Sequence, residues 1–412
     1  MYIAILGRQP ALGMAELERL YGGASVRWFS DESAVVDCPR FDFERLGGSQ
    51  KAGRVVAELS GDWHRASKEI VRAYATAWQS HEGKITLGIS AYGFKTTARE
   101  VQKTGIILKQ KLKAQGVSLR LIPNNEPALN TATSHHNKLG LSNNHVELLV
   151  VRTGAGNIIV AESVGAQNIT ALAARDQARP RTDAFVGMLP PKLARMMINL
   201  ATGDGENTAK SEAIHGSRGV ELPKAVLDPF CGTGVVLQEA ALLGFDVCGT
   251  DLSEKMVDYS RENLEWLVKK YSLAIDISID HADAMIYQWP LLTMQNQEPR
   301  ADLAVVAETY LGQPFSAPPS PAKLREVTGN CDHIVSTFLR NIARQLTPGA
   351  PLCVAVPAWR GNDGSFTHLP LIDIVGTLGY RRVQLRHVRD SQLLYYREGQ
   401  VVARELLLLI KS

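Results

Sequence analysis

Val226-Leu227-Asp228-Pro229-Phe230-Cys231-Gly232-Thr233-Gly234 is the stretch on which the reading of this chain turns. It begins with an apolar run that closes on an acid. A glycine-rich turn follows, and then a helical run, Val235–Leu243. A buried strand ending in a carboxylate and turning through glycines lets backbone approach a ligand closely, with a helix N-terminus behind it. This is not the G-x-G-x-x-G dinucleotide fingerprint. An acid ahead of the glycines suits a ligand with a cationic amino-acid end, whose ammonium needs a carboxylate or carbonyl and whose carboxylate favours backbone N–H groups.

The same pattern repeats downstream. Strands are predicted at 225–228, 246–250, 275–280, 302–307, 351–357, 381–387 and 403–410, with helices between them, notably at 234–243, 254–269, 332–346 and 369–378. Alternation of this kind implies an α/β fold with a mainly parallel, doubly wound sheet. The second strand ends at Asp251, 17 residues after Gly234. A carboxylate there can take both hydroxyls of a ribose. The third ends near His281-Ala282-Asp283-Ala284, and Asp283 is placed to accept from an adenine amino group. Each acid alone reads as a turn or capping aspartate. Three at successive strand ends form a constellation, and S-adenosylmethionine (SAM) carries an amino-acid end, a ribose and an adenine. The candidate SAM-binding residues are Asp228, Pro229, Phe230, Gly232, Gly234, Asp251, Leu252, Asp283 and Ala284.

A chain of 412 residues, 45% of them apolar, is too long for one ordinary core. It contains no apolar run of about 18 residues, so no membrane span is expected. Met1–Leu6 reads as a first strand rather than a signal peptide. Five widely spaced cysteines form no metal-type pair and suit a reducing cytoplasm, so no metal site is expected. Net charge is +3 but uneven: residues 1–180 carry 22 Lys/Arg against 16 Asp/Glu. The surplus concentrates between Lys95 and Arg120, where seven basic side chains face one acid, Glu100. Such a stripe suits a phosphate backbone, or else is a solvated helix face.

Upstream of the α/β half, residues 1–60 read as a small α+β unit with a helix at 11–21. Residues 64–160 repeat the mixture. There, 101–115 reads as an amphipathic helix with Ile106, Ile107, Leu108 and Leu112 inward and its lysines outward. An arginine-rich linker covers 165–185, and a Gly/Asn/Ser/Lys-rich loop runs from about 202 to 222.

Here the chain resembles a known family. Asp228-Pro-Phe-Cys-Gly-Thr-Gly234 looks like the SAM-binding motif of the class I methyltransferases that modify tRNA guanosine on N2. Arg175-Asp176-Gln177-Ala178-Arg179-Pro180, and Gly187-Met188-Leu189-Pro190-Pro191-Lys192-Leu193-Ala194 running on to Ala201, are similar to a segment of the archaeal tRNA-guanosine-10 methyltransferase group. Leu6-Gly7-Arg8-Gln9-Pro10 with Ala15-Glu16-Leu17 resembles that group's N-terminal ferredoxin-like domain. The resemblance implies four parts: a ferredoxin-like domain at 1–62, a THUMP RNA-binding domain at 63–165, a linker at 166–190, and a Rossmann-like, seven-stranded class I methyltransferase domain at 191–412. It also implies tRNA as partner, with Lys103, Lys109, Lys111, Lys113, Arg120 and Lys138 on its phosphates. A small zinc-binding activator protein, which some relatives require, stays open as a second partner.

One element departs from the family pattern. Such enzymes carry Asp/Asn-Pro-Pro-Tyr after the fourth strand, where the acid accepts from the target amine and the ring stacks on the flipped base. This chain has Glu308-Thr309-Tyr310-Leu311-Gly312 there. Glu308 takes the acid's place, Tyr310 sits one position early, and both prolines are gone, leaving the loop less constrained. Glu308 and Tyr310 are the candidate catalytic residues, with Phe315 a further stacking candidate or a core residue. The expected activity is SAM-dependent methylation of tRNA guanosine N2. The altered motif leaves open a different acceptor atom or RNA, or a non-catalytic tRNA-binding protein.

Overall fold

In the computed structural model, which describes residues 1–183, 189–203, 223–292 and 302–412, backbone hydrogen bonds join the described strands into two separate sheets. Gly187-Met188 of the family-like segment, and nearly all of the loop expected at 202–222, lie outside the described residues. Met1–Pro10 with Ala24–Leu172 form one compact unit, and Ala11–Gly23 with Ala173–Ser412 form the other. The first helix, α1 (Pro10–Tyr21), therefore belongs mostly to the second unit.

The strands of the first unit are β1 (Tyr2–Leu6), β2 (Val26–Ser30), β3 (Ser33–Val36), β4 (Ser49–Ser60), β5 (Lys84–Tyr92), β6 (Ser118–Leu121), β7 (His145–Arg152) and β8 (Asn157–Ala166). They form one sheet in the order β2-β3-β1-β4-β8-β7-β5-β6. Its pairings are antiparallel except those of β5 with β6 and β7. The long strand β4 pairs with β1 on one side and β8 on the other, so the sheet runs unbroken past the boundary expected at 62. Helices α2 (Trp63–Ala77) and α3 (Ala98–Ala114) pack on one face. Ile70 and Tyr74, Val101 and Leu108, and Ile85, Leu87 and Ile89 of β5 share that core. A capping box between Thr97 and Glu100 starts α3.

The inward stripe of α3 is Val101, Thr104, Gly105, Leu108 and Leu112. Ile106 and Ile107, expected inward, are 43% and 37% exposed. At roughly 100° per residue both turn away from that stripe, whose 3- and 4-residue spacing fixes the buried face.

A buried ion pair lies within the same sheet. Lys51 of β4 and Glu147 of β7 are 1% and 0% exposed and bonded to each other. Lys51 also donates to the Leu129 carbonyl at 2.7 Å, and Ser90 donates to Glu147 at 2.6 Å. Burial lowers the Lys51 pKa, against the pull of Glu147.

The second unit carries β9 (Ala225–Asp228), β10 (Asp246–Asp251), β11 (Ile277–His281), β12 (Leu303–Glu308), β13 (Pro351–Arg360), β14 (Phe366–Thr367), β15 (Tyr380–Arg382), β16 (Leu394–Tyr395) and β17 (Val402–Lys411). Seven of them lie in the order β11-β10-β9-β12-β13-β17-β15, with β14 and β16 as short additions. The first five are parallel, and β17 runs antiparallel between β13 and β15. This is the expected α/β, Rossmann-like sheet with its seven strands. Helices α4 (Thr131–His136) and α5 (Ile169–Gln177) precede this half in sequence. They are followed by α6 (Pro191–Thr202), α7 (Val235–Leu242), α8 (Glu254–Tyr271) and α9 (Pro321–Ala343).

Helix α9 begins 11 residues before its expected start at 332. Ser320 caps it, accepting from the Lys323 N–H at 3.3 Å, and Pro321 sits in the first turn, where its missing N–H costs nothing. The helix expected at 369–378 is a 3₁₀ stretch, Pro370–Leu378. Within this unit α1 is tied down by polar bonds: Asn199 donates to Glu16 at 2.7 Å, and Arg19 donates to the Leu200 carbonyl at 2.9 Å.

Removing one partner of a buried pair strands the other charge. Lys51→Met is expected to destabilise the first unit by about 3–5 kcal/mol in chemical denaturation, whereas Lys51→Met with Glu147→Leu recovers most of that loss.

Candidate active site

The chain leaves central strand β9 for β10 on one side, while β12 lies on the other. A doubly wound sheet opens a crevice at the carboxyl ends of its strands where the order switches in this way. A cavity of about 800 Å³ occupies that place, lined by the ends of β9, β10 and β12, the loop after β11, α9 and the start of β17.

The turn after β9 is held by β10. The Cys231 N–H donates to the Thr250 carbonyl at 2.9 Å, Thr250 Oγ1 to the Pro229 carbonyl at 3.2 Å, and the Gly232 N–H to Asp251 Oδ2 at 2.9 Å. Gly232 and Gly234 have φ of +51° and +80°, a conformation that favours glycine. A Cβ on Gly232 would meet nothing within 4 Å, so the turn faces open space. A Cβ on Gly234 would collide with Ser260 Oγ. Gly234 caps α7 beneath α8 and does not line the cavity, unlike the eight other candidate SAM residues, all of which do.

Asp228 is 2% exposed, and its Oδ1 accepts from the Phe230 N–H at 3.1 Å. Burial holds its carboxyl well above the usual range; the Phe230 N–H opposes this, and Asp251 and Glu308 add to it. Asp251 spans the turn, taking the Gly232 N–H on one oxygen and the Ser253 N–H, at 2.9 Å, on the other. Asp283 Oδ1 accepts from the Met285 N–H at 2.9 Å. Leu252, 68% exposed, offers a flat apolar surface beside Asp251. Asp228 and Asp283 each keep a second carboxylate oxygen with no donor among the described residues. A cavity of this size with three strand-end acids and an open glycine turn fits SAM, whose ammonium needs a carboxylate.

Glu308 ends β12 and reaches the same cavity. Its partner is Arg404 of β17, whose Nε donates to Glu308 Oε1. Burial raises the Glu308 pKa, and Arg404 opposes the rise. The next residue replaces the rigidity that proline would supply: Thr309 is 3% exposed and donates to the Ala355 carbonyl of β13 through both its N–H, at 3.0 Å, and its Oγ1, at 3.1 Å. Tyr310, 45% exposed, stands at the cavity mouth. Phe315 packs against the core and does not line the cavity. Sequence reading missed Arg404, Val402 and Gln400. They come from the last strand and the turn just before it, nearly 100 residues beyond Glu308, and no motif marks them.

The six candidate RNA contacts are all exposed, but the first unit divides them. Lys103, Lys109, Lys111 and Lys113 are on α3. On β6, Leu119 joins the core beneath α3 and Leu121 packs against Gly105 of that helix, so the alternate residue Arg120 points to the other face. Lys138 follows α4. Gly88 of β5 would meet Leu129 and Leu139 with a Cβ, which puts that segment on the face opposite α2 and α3. Four lysines thus sit on one face, and Arg120 and Lys138 on the other.

No family model matches the chain. It is 41% identical over 92 residues to a tRNA (guanine(10)-N2)-dimethyltransferase of Methanothermobacter thermautotrophicus, a stretch covering 22% of each chain. A protein of the same name from Pyrococcus abyssi is 38% identical over 88 residues, 21% of each chain. The match thus spans about a fifth of the length of these curated relatives. Among solved structures, TrmN from Thermus thermophilus aligns with 100% of this chain and 99% of its own at 19% identity and a TM-score of 0.49.

Proposed function

We propose that this chain is a SAM-dependent methyltransferase that acts on the N2 amine of a guanosine in tRNA. The carrying observation is the convergence of Asp228, Asp251, Asp283 and Glu308 on one cavity. The names of the archaeal relatives support the acceptor. In this reading residues 63–165 serve as a THUMP-type RNA-binding module, residues 1–62 as a ferredoxin-like one, and the tRNA substrate places the enzyme in the cytoplasm.

SAM, when bound, supplies a methyl group already activated by its sulfonium, so that an N–C bond forms as the S–C bond breaks. What remains for the protein is mainly positioning. Asp228 faces the ammonium, Asp251 the ribose and Asp283 the adenine amine. Glu308 accepts a hydrogen bond from the target amine and aims its lone pair along the line of transfer. It also stands ready for the proton the amine loses. Tyr310 stacks on the base that is turned into the cavity, as enzymes acting on a nucleobase require.

Three measurements test this reading. Purified chain, radiolabelled SAM and unmodified tRNA are expected to yield labelled N2-methylguanosine by nucleoside mass spectrometry. Transfer by the chain alone would make a separate zinc-binding activator unnecessary. Label in any other nucleoside would overturn the acceptor. In the same assay Glu308→Gln should lower kcat about 100-fold or more while changing SAM affinity less than about twofold.

SAM affinity carries a pH signature. Because the Asp228 pKa is raised in the empty site, binding an ammonium below that pKa first requires a proton to leave. Affinity measured by titration calorimetry should fall about tenfold per pH unit below the Asp228 pKa. It should level off above it, until the ligand's own α-amino group loses its proton near pH ~8. Asp228→Asn should weaken binding and flatten the acid limb.

For the RNA, Lys109→Ala, Lys111→Ala and Lys113→Ala together should weaken tRNA binding. They should also reduce the slope of log affinity against log salt by about 2–3, given roughly 0.7–0.9 per phosphate contact. Unchanged slope and affinity would make that face of α3 an ordinary solvated one.

A further inference from the structure

The guanidinium of Arg404 is nearly buried, lines the cavity, and is only partly used. The residue is 9% exposed and projects from β17, where it pairs with Pro357 of β13 in the antiparallel ladder. Its Nε donates to Glu308 Oε1. The Nη groups make no hydrogen bond to any described residue, yet they are not among the sealed, unsatisfied polar atoms. Their N–H bonds therefore reach cavity space. Glu308 has the complementary arrangement, with Oε1 engaged by Arg404 and Oε2 without a donor. The cavity thus presents an acceptor and a fork of donors side by side.

That pairing is filled most completely by the guanine edge. Guanine offers an acceptor, O6, beside two donors, the N1–H and the 2-amine. Adenine offers a donor and an acceptor at N6 and N1, and cytosine a donor with two acceptors. A carboxylate accepting from both the N1–H and the 2-amine, with a guanidinium on O6, uses the whole guanine edge, whereas adenine, cytosine and uracil each offer that carboxylate a single donor. An acid by itself would accept from any exocyclic amine and give no such selection. Leaving either of these largely buried polar groups unpaired is what makes the wrong base costly.

We propose that Arg404 is the base-selecting residue of this site, donating through Nη to guanine O6 while Glu308 accepts from the N1–H and the 2-amine. The proposal rests on the guanosine reading above. Its ion pair with Glu308 gives Arg404 a second effect, holding that carboxylate charged and in place. The test must separate the two.

The probe is a tRNA transcript with 6-thioguanosine at the methylated position. This base keeps the N1–H and the 2-amine and replaces O6 with a poor acceptor. Wild type is expected to methylate guanosine about 10–100-fold faster than 6-thioguanosine, the range for one charged hydrogen bond to a base edge. Arg404→Met should lower the guanosine rate by a similar factor and bring the two rates within about threefold, with SAM affinity by calorimetry close to wild type. If Arg404→Met fails to bind SAM, Arg404→Lys, which keeps the charge beside Glu308 but not the fork, enters the same comparison. Equal loss on both substrates, with the preference intact, would overturn the proposal and leave Arg404 acting only through Glu308. No preference in the wild type would also overturn it. Label in another nucleoside, or none, would overturn the guanosine reading itself, and this proposal with it.

Discussion

The hydrogen bond from the Gly232 N–H to Asp251 Oδ2, at 2.9 Å, is the contact on which the site depends. It joins the turn after β9 to the end of β10, in a turn where Gly232 adopts φ of +51°, a conformation that favours glycine. With the Cys231–Thr250 and Thr250–Pro229 bonds it makes two strand ends into one rigid rim. Asn263 of α8 braces the same rim, donating to the Thr233 carbonyl at 2.9 Å. Asp251 is thereby fixed before any ligand arrives. On the proposed reading, its remaining lone pairs meet a ribose without the entropy cost of ordering a free side chain.

Electrostatics then divides the cavity in two. Around the turn, Asp228, Asp251 and Asp283 line it with no cation facing them among the lining residues there. Burial, with the nearby charges of Asp251 and Glu308, raises the Asp228 pKa, a state that a cationic ligand relieves. At the other end a guanidinium is present, and Glu308 bonds to it. The cation-seeking part and the hydrogen-bonding part of the site are therefore distinct, which suits a charged cofactor beside a neutral base. The lost prolines of the fourth-strand motif matter less than the sequence suggests. Thr309 clamps the loop to β13 with two bonds to one carbonyl, and Gly312, at φ of +81°, passes close under Val327 where a Cβ would not fit.

The first unit shows how a continuous sheet redistributes surface charge. A contiguous basic stretch of sequence is not a contiguous patch, because strand β6 alternates its side chains across the sheet. Arg120 is thus sent away from the lysines of α3 that precede it in the same basic stretch. The exposed Ile106 and Ile107 then sit among those lysines on the outer face of α3. That face combines exposed cations with exposed apolar side chains, which on the proposed reading would meet RNA.

Local pattern determined a great deal of this protein. The glycine turn, the acids at 228, 251 and 283, and the strand-helix alternation after 225 were legible because each is a short-range consequence of backbone sterics and of 2.0- and 3.6-residue periodicity. Most of the strand positions and the mainly parallel character of the second sheet followed from them, whereas the strand order came from the tertiary structure and the strand expected at 381–387 is only Tyr380–Arg382. What sequence left undecided was whatever depends on which face or which distant element meets another. The membership of α1 in the second unit, the side of the sheet taken by Arg120 and Lys138, the burial of Lys51 against Glu147, and the approach of Arg404 to Glu308 across 96 residues are all of this kind. Periodicity fixes the angle between neighbours on one element. Only packing the elements together fixes which side chains converge, and so the tertiary structure alone set an arginine against the acid of the fourth strand.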